Sequence, residues 1–207
     1  MTFDKVAISR STGVLRVPGR KAGELVDLRI CDLPRMENLR FKLGKFEQDA
    51  AFAGKLPWVA YALATCLRET GPNLQPIREW GGRDYCIRMY GHRKDLGNIV
   101  PEDGWTFRGG GDVQLTGRGN YAKLSPIVGV DLVKFPDKVL DPEVSFKIMS
   151  YGMVNGIFTG KKLAHYDKAD GTFDYLNARR IINGLDHAQQ IADNTKIFEA
   201  ALRAATI

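Results

Sequence analysis

Two glutamates, Glu69 and Glu79, flank the start of the chain's densest run of glycines and aromatics. Glycoside hydrolysis needs one protonated carboxyl to protonate the leaving oxygen and one ionised group to activate water or attack the sugar. Glu69 closes an apolar helical stretch, where partial burial would favour the protonated form that a general acid needs. Glu79 follows in a loop. Spacing alone does not separate this pair from two solvated side chains. Downstream, Arg108-Gly-Gly-Gly-Asp112-Val-Gln114-Leu-Thr116-Gly-Arg118-Gly-Asn120-Tyr121 mixes glycines, which allow close backbone approach, with amide, hydroxyl and guanidinium groups suited to a sugar chain. The competing reading is a glycine-rich turn in which Gln114 and Thr116 cap local backbone. No Gly-Lys-Ser/Thr follows the glycines and no apolar strand precedes them, so a phosphate cradle is not supported.

The elements that must position these groups are mostly helical. Pro57 suits a first helical turn, Val59, Leu63, Cys66 and Leu67 recur at helical spacing up to Glu69, and Gly71-Pro72 stops the helix. Residues 71–120 read as a long loop-rich stretch whose aromatic content argues against disorder. Helical patterning returns over Tyr121–Val128 and from Asp141-Pro142, a good N-cap pair, through Met153. A last amphipathic helix spans Asp186–Ala205, with Ala188, Ile191, Thr195, Phe198, Ala201 and Leu202 on one face. Residues 1–50 are less regular: Gly13, Pro18, Gly19 and Gly23 punctuate a strand-like start, and Arg35–Ala53 is irregularly helix-like. The pattern predicts a mainly α protein with a pair of helical lobes, a loop-lined cleft and at most a small β-hairpin.

With 44% hydrophobic and 26% charged residues in 207, the chain can bury a core, and its net charge of +6 favours polyanions, whether nucleic acid or an anionic cell wall. Cys31, Cys66 and Cys86 form neither a disulfide framework nor a CxxC pair and read as reduced, mostly buried thiols. His92, His165 and His187 lack clustered partners and read as surface or capping groups. No metal and no cofactor are expected. Trp80, Tyr85, Tyr90 and Trp105 could stack on sugar rings or form a mini-core for the loops. No apolar run approaches the roughly 18 to 20 residues of a membrane span, and Met1-Thr-Phe-Asp-Lys lacks the apolar run of a secretory signal, so a cytoplasmic location without stable membrane insertion is expected.

Leu63-Ala-Thr-Cys-Leu-Arg-Glu69-Thr70, Gln75-Pro-Ile-Arg-Glu79, Tyr90-Gly91, Asp95-Leu-Gly-Asn98, Asp103-Gly-Trp105 and Gln114-Leu-Thr-Gly-Arg-Gly-Asn-Tyr121 together resemble family 19 glycoside hydrolases, in particular their phage endolysin branch. Leu140-Asp-Pro-Glu143, Gly156-Ile-Phe-Thr-Gly-Lys-Lys-Leu163 and Ala178-Arg-Arg-Ile-Ile-Asn-Gly184 continue the likeness in the same order. The resemblance covers roughly residues 57–205. It implies a lysozyme-like two-lobed α-helical domain with a loop-rich substrate cleft over residues 51–207, with 1–50 as an N-terminal extension or packing segment of uncertain role.

The resemblance also implies an inverting muramidase acting on the β-1,4 bonds of bacterial peptidoglycan, with chitinase activity or a decayed wall-binding module as alternatives. Glu69 inherits the role of general acid, Glu79 that of base and Thr116 that of holding the attacking water. Gln114, Asn120, Tyr121, Asn183, Arg118 and Asp112 are implied on the substrate side. Peptidoglycan is then the partner rather than nucleic acid. A monomer is the default, held in the host cytoplasm until a separate holin-type protein opens the way to the wall.

Three departures from the family pattern stand out: Arg68 replaces the usual histidine, Gly110 the usual arginine, and Asp112 the usual aromatic residue. Arg68 would bring a cation beside Glu69. The other two remove one cation and add a carboxylate, which could face Glu69 or itself serve as the base.

Overall fold

The computed structural model describes residues 1–18 and 24–207. Gly19 and Gly23, two of the N-terminal punctuating glycines, lie outside the described residues. The chain divides into two compact units, one of residues 1–74 with 153–207 and one of residues 75–152.

The first unit is built on α3 (Leu56–Thr70), after α1 (Lys5–Ser9), the β1 (Val14–Pro18) and β2 (Leu25–Arg29) hairpin, and α2 (Met36–Gln48). Pro57 sits in the first turn of α3 and Gly71 ends it at φ +76°, a left-handed conformation in which glycine carries no Cβ penalty. Trp58 to Leu67 are all buried, which is the signature of a helix surrounded on every side. Its main neighbour is α8 (Ala188–Ala204). Of the apolar face expected on α8, Ala188, Ile191, Thr195, Phe198 and Leu202 are buried and Ala201 is partly covered. Asn194, a buried polar residue on that helix, accepts from Arg16 N–H and donates to Arg16 C=O, both at 2.7 Å. It thereby supplies the unpaired edge of β1 with partners. Among the described residues of the first fifty, Leu15, Val17, Ile30, Leu39, Leu43 and Phe46 are buried in the core.

The second unit holds β3 (Ile77–Arg78), α4 (Arg83–Tyr90), α5 (Asp103–Thr106), β4 (Gly110–Gly111), α6 (Arg118–Val128) and most of α7 (Pro142–Asn155). As expected, Asp141 caps α7, its Oδ1 accepting from the N–H groups of Glu143 and Val144. The fold is mainly α, in agreement with the sequence pattern. Among the described residues it carries two small two-stranded sheets, β1–β2 and β3–β4, where the pattern predicts at most one small hairpin. The loop-rich stretch also contains the two-turn helix α4, whose one buried residue is Cys86. Cys31, Cys66 and Cys86 form no disulfide among the described residues, and the last two are buried. No helix among the described residues is long and apolar enough to cross a membrane.

Candidate active site

In the second unit, Glu79 leaves β3 at a fixed height because its N–H donates to Gly109 C=O at 2.9 Å, one rung beyond the Ile77–Gly111 and Arg78–Gly110 pairs. Both of its carboxylate oxygens are held. Tyr90 Oη, at the end of α4, donates to Oε1 at 2.8 Å, and Gly109 N–H donates to Oε2 at 3.2 Å. Burial pushes the Tyr90 phenol far above its ordinary range and the neighbouring Glu79 carboxylate adds to that, so Tyr90 stays a donor. A Cβ at Gly109 would lie 2.8 Å from Gln114 Oε1 and 3.1 Å from Glu79 Oε2. Glycine at this position therefore lets Glu79 and Gln114 adjoin.

Gln114 is left-handed, with φ +52°. Its Nε2 donates to Ile77 C=O (3.1 Å) and Gly111 C=O (3.2 Å), which ties its strained turn to the β3–β4 hairpin. Its Oε1 accepts no hydrogen bond among the described residues. Thr116 Oγ1 donates to Gln114 C=O at 2.9 Å, and Asn120 Nδ2 donates to Thr116 C=O at 2.8 Å. The structure thus links Gln114, Thr116 and Asn120 in one turn, with Glu79 on the neighbouring strand end beside Gly109, and the amides and hydroxyl do the local capping that the competing reading described.

Three residues expected on the substrate side are tied into the framework. Tyr121 is fully buried, its hydroxyl accepting from Arg78 Nη1 (2.7 Å) and donating to Arg108 C=O (3.0 Å). Asp112 has no exposed surface, and its N–H donates to Ser145 Oγ. Arg118 is committed to a two-pronged pair with Asp103 at 2.7 and 2.8 Å.

The Arg118 hydrogen bonds, with the N–H groups of Ile99 and Val100, hold the Asp103 carboxyl below the usual carboxylate range against the effect of burial. A carboxyl lowered on folding stabilises the native state above its unfolded pKa, about 4, and that stability is lost as pH falls through the folded value. Asp103→Asn is therefore expected to flatten the loss of stability below about pH 4, read from urea midpoints across pH. An acid limb as steep as that of the wild type would refute this coupling.

The space beside Gly110 is occupied by an arginine from across the hairpin. A Cβ at Gly110 would lie 2.8 Å from Arg78 Nη1 and 2.7 Å from Val139 Cγ2. Arg78 fills the space, bonded to Tyr121 Oη, Arg108 C=O and Asp137. Gly110→Arg is expected to overpack this spot and cost about 1–3 kcal/mol, with part recovered by adding Arg78→Gly. Thermal melts of the single and double variants check this, and a neutral single variant would contradict it.

Of the four loop aromatics, Tyr90 serves Glu79, Trp105 lies under the Arg108 guanidinium, Tyr85 is partly exposed, and Trp80, next to Glu79, is 91% exposed.

In the first unit, Glu69 stands in the last turn of α3 with 17% of its side chain exposed. Its Oε1 accepts from Arg179 Nη1 at 2.6 Å. Arg179, only 3% exposed, also donates from Nε to Asp186 C=O (3.2 Å) and from Nη2 to the Asp186 carboxylate (3.3 Å). Burial opposes the charge on Arg179, yet Glu69 and Asp186 raise its pKa overall. The cation that meets Glu69 is therefore Arg179, not its sequence neighbour Arg68. Asn183 N–H donates to Arg179 C=O, while the Asn183 side chain is exposed and turned to Gly184 N–H. Nothing in the sequence assigns a role to Arg179, Arg78 or Asp186, although the first two lie inside the strings that carry the family resemblance.

No protein-family model and no curated protein sequence matches the chain. Among solved structures it is similar to a glutamate-to-glutamine mutant of chitinase C, at 19% identity over 83% of each chain, with a TM-score of 0.50. At that identity the likeness is one of fold: the chain shares the mainly helical architecture of that chitinase.

Proposed function

We propose that this chain is a glycoside hydrolase that cleaves the β-1,4 bonds of bacterial peptidoglycan by inversion, with Glu69 as general acid and Glu79 as general base. The observation that carries the reading is the fixing of Glu79: two donors, Tyr90 Oη and Gly109 N–H, aim one carboxylate beside the open acceptor of Gln114. A base must be oriented toward one water to be effective, and two donors on opposite oxygens provide that orientation. The fold shared with a chitinase supports the reaction class, and the net charge of +6 supports an anionic wall as substrate.

In this reading residues 51–207 carry the catalytic domain. The enzyme works as a monomer and waits in the host cytoplasm until a separate membrane-permeabilising protein gives it access to the wall. The likeness to a chitinase favours one second reading, hydrolysis of N-acetylglucosamine polymers.

Turnover of purified peptidoglycan and of soluble chitin oligomers, with mass spectrometry of the new reducing ends, separates the two. N-acetylmuramic acid at those ends is expected. Chitin turnover alone would move the assignment to the chitinase, and no turnover of either would refute both.

A further inference from the structure

Trp80 is the most exposed large apolar side chain among the described residues. The other two tryptophans are withdrawn: Trp58 is 7% exposed, and the Arg108 guanidinium lies 3.6 Å from the centre of the Trp105 ring. The setting of Trp80 is both open and stiff. On one side Glu79 is tied to Gly109 through its own N–H and through its carboxylate. On the other, Gly81 C=O accepts from Cys86 Sγ at 3.6 Å and Gly82 C=O accepts from Cys86 N–H at 3.0 Å, which fastens the turn to α4. The two glycines put no side chain over the indole. A Cβ at Gly81 would collide with the Tyr85 ring, and one at Gly82 would meet nothing within 4 Å. Tyr85, lying on Gly81, is itself 40% exposed. The N–H groups of Trp80, Gly81 and Gly82 and the indole Nε1 donate to nothing among the described residues.

The turn thus presents an aromatic face beside unpaired peptide donors, directly after the carboxylate assigned as base. An apolar partner would cover the indole but strand those donors. A pyranose satisfies both, since its C–H face can lie on the ring while its hydroxyl and acetamido oxygens accept from N–H groups. We propose that Trp80 is a sugar-binding residue, stacking on an N-acetylated pyranose of the glycan strand whose cleavage Glu79 serves. This deepens, and rests on, the hydrolase reading above. Because the backbone is fixed on both sides before the sugar arrives, only the two side-chain torsions of a tryptophan remain to be ordered on binding.

Trp80 supplies its own signal, being the exposed one of the three tryptophans. The emission of the full chain is followed as a tetrasaccharide of alternating N-acetylglucosamine and N-acetylmuramic acid is added, with turnover measured in parallel. A saturable blue shift is expected. Trp80→Ala should abolish the shift and weaken binding about tenfold, the effect of uncovering one face of an indole. It should raise KM by a similar factor with kcat little changed, as loss of a contact made equally in ground and transition states does. Trp80→Phe should recover part of the affinity. A folded Trp80→Ala with the affinity and KM of the wild type, or a wild type that binds the tetrasaccharide without a shift, would overturn the proposal. So would a blue shift that grows with protein concentration in the absence of glycan, which would assign this face to a second copy of the chain. A wild type that shows the shift, loses it in Trp80→Ala and leaves the tetrasaccharide intact would support Trp80 and refute the hydrolase. Cleavage without the shift would do the reverse, and neither binding nor cleavage would overturn both.

Discussion

Glu69→Gln is expected to lower turnover of purified peptidoglycan by about 100- to 10,000-fold while leaving the protein folded, the usual contribution of a positioned acid or base. The Gln amide oxygen can still accept from Arg179 Nη1, so the geometry at the end of α3 has a neutral substitute for the carboxylate. What the variant lacks is a transferable proton. Arg179 cannot replace it, because a guanidinium keeps its protons at working pH. Of this pair, only the Glu69 carboxyl can therefore protonate a leaving oxygen. Reducing-end release measured beside a circular-dichroism melt checks the expectation. A folded Glu69→Gln as active as the wild type would remove Glu69 from the mechanism and leave its ion pair with Arg179 as a structural feature.

The helices were legible where their signals are local. Pro57 before an apolar run, Asp141-Pro142 before another, and the spacing of Ile191, Thr195, Phe198 and Leu202 each lie within a few turns of chain, and α3, α7 and α8 follow them. The sheet β3–β4 was not legible, because it pairs two residues with two and one side is Gly110-Gly111, a poor strand former. Helix α4 was hidden for a related reason: it is flanked by glycines and buries only Cys86, so it carries no apolar stripe to read.

The electrostatics of the candidate residues were less legible, since each decisive partner is remote or depends on register. Arg68 is adjacent to Glu69 in sequence, but successive residues on a helix point about 100° apart around its axis. The carboxylate meets Arg179, 110 positions away, instead. At Gly110 the residue type suggests a lost cation, and only the pairing of Arg78 opposite Gly110 shows what fills that space. The acidic replacement at Asp112 likewise suggests a new carboxylate in the site, whereas the structure buries that residue fully. Side-chain type identifies the groups, and chain pairing decides which of them meet.

Arg179→Ala is expected to destabilise the protein by about 3–5 kcal/mol, the cost of removing one partner from a buried ion pair. Arg179 is 3% exposed, and Glu69, with 17% of its side chain exposed, would lose its cation without gaining water to replace it. Asp186 would lose two bonds as well, but its carboxylate is half exposed and can be hydrated, so the main cost falls on Glu69. At the usual 2–4 °C per kcal/mol for a chain of this size, the melting temperature should fall by on the order of 10 °C. The cause is separable from lost packing by adding Glu69→Gln. If the penalty comes from a stranded carboxylate, neutralising it should recover a large part of the loss, so the double variant should be more stable than Arg179→Ala alone. If the penalty comes from the cavity, the two substitutions should add instead. A fall of less than about 1 kcal/mol for Arg179→Ala would mean that the pair behaves as a solvated one, and the orientation of Glu69 would then have to come from α3 alone.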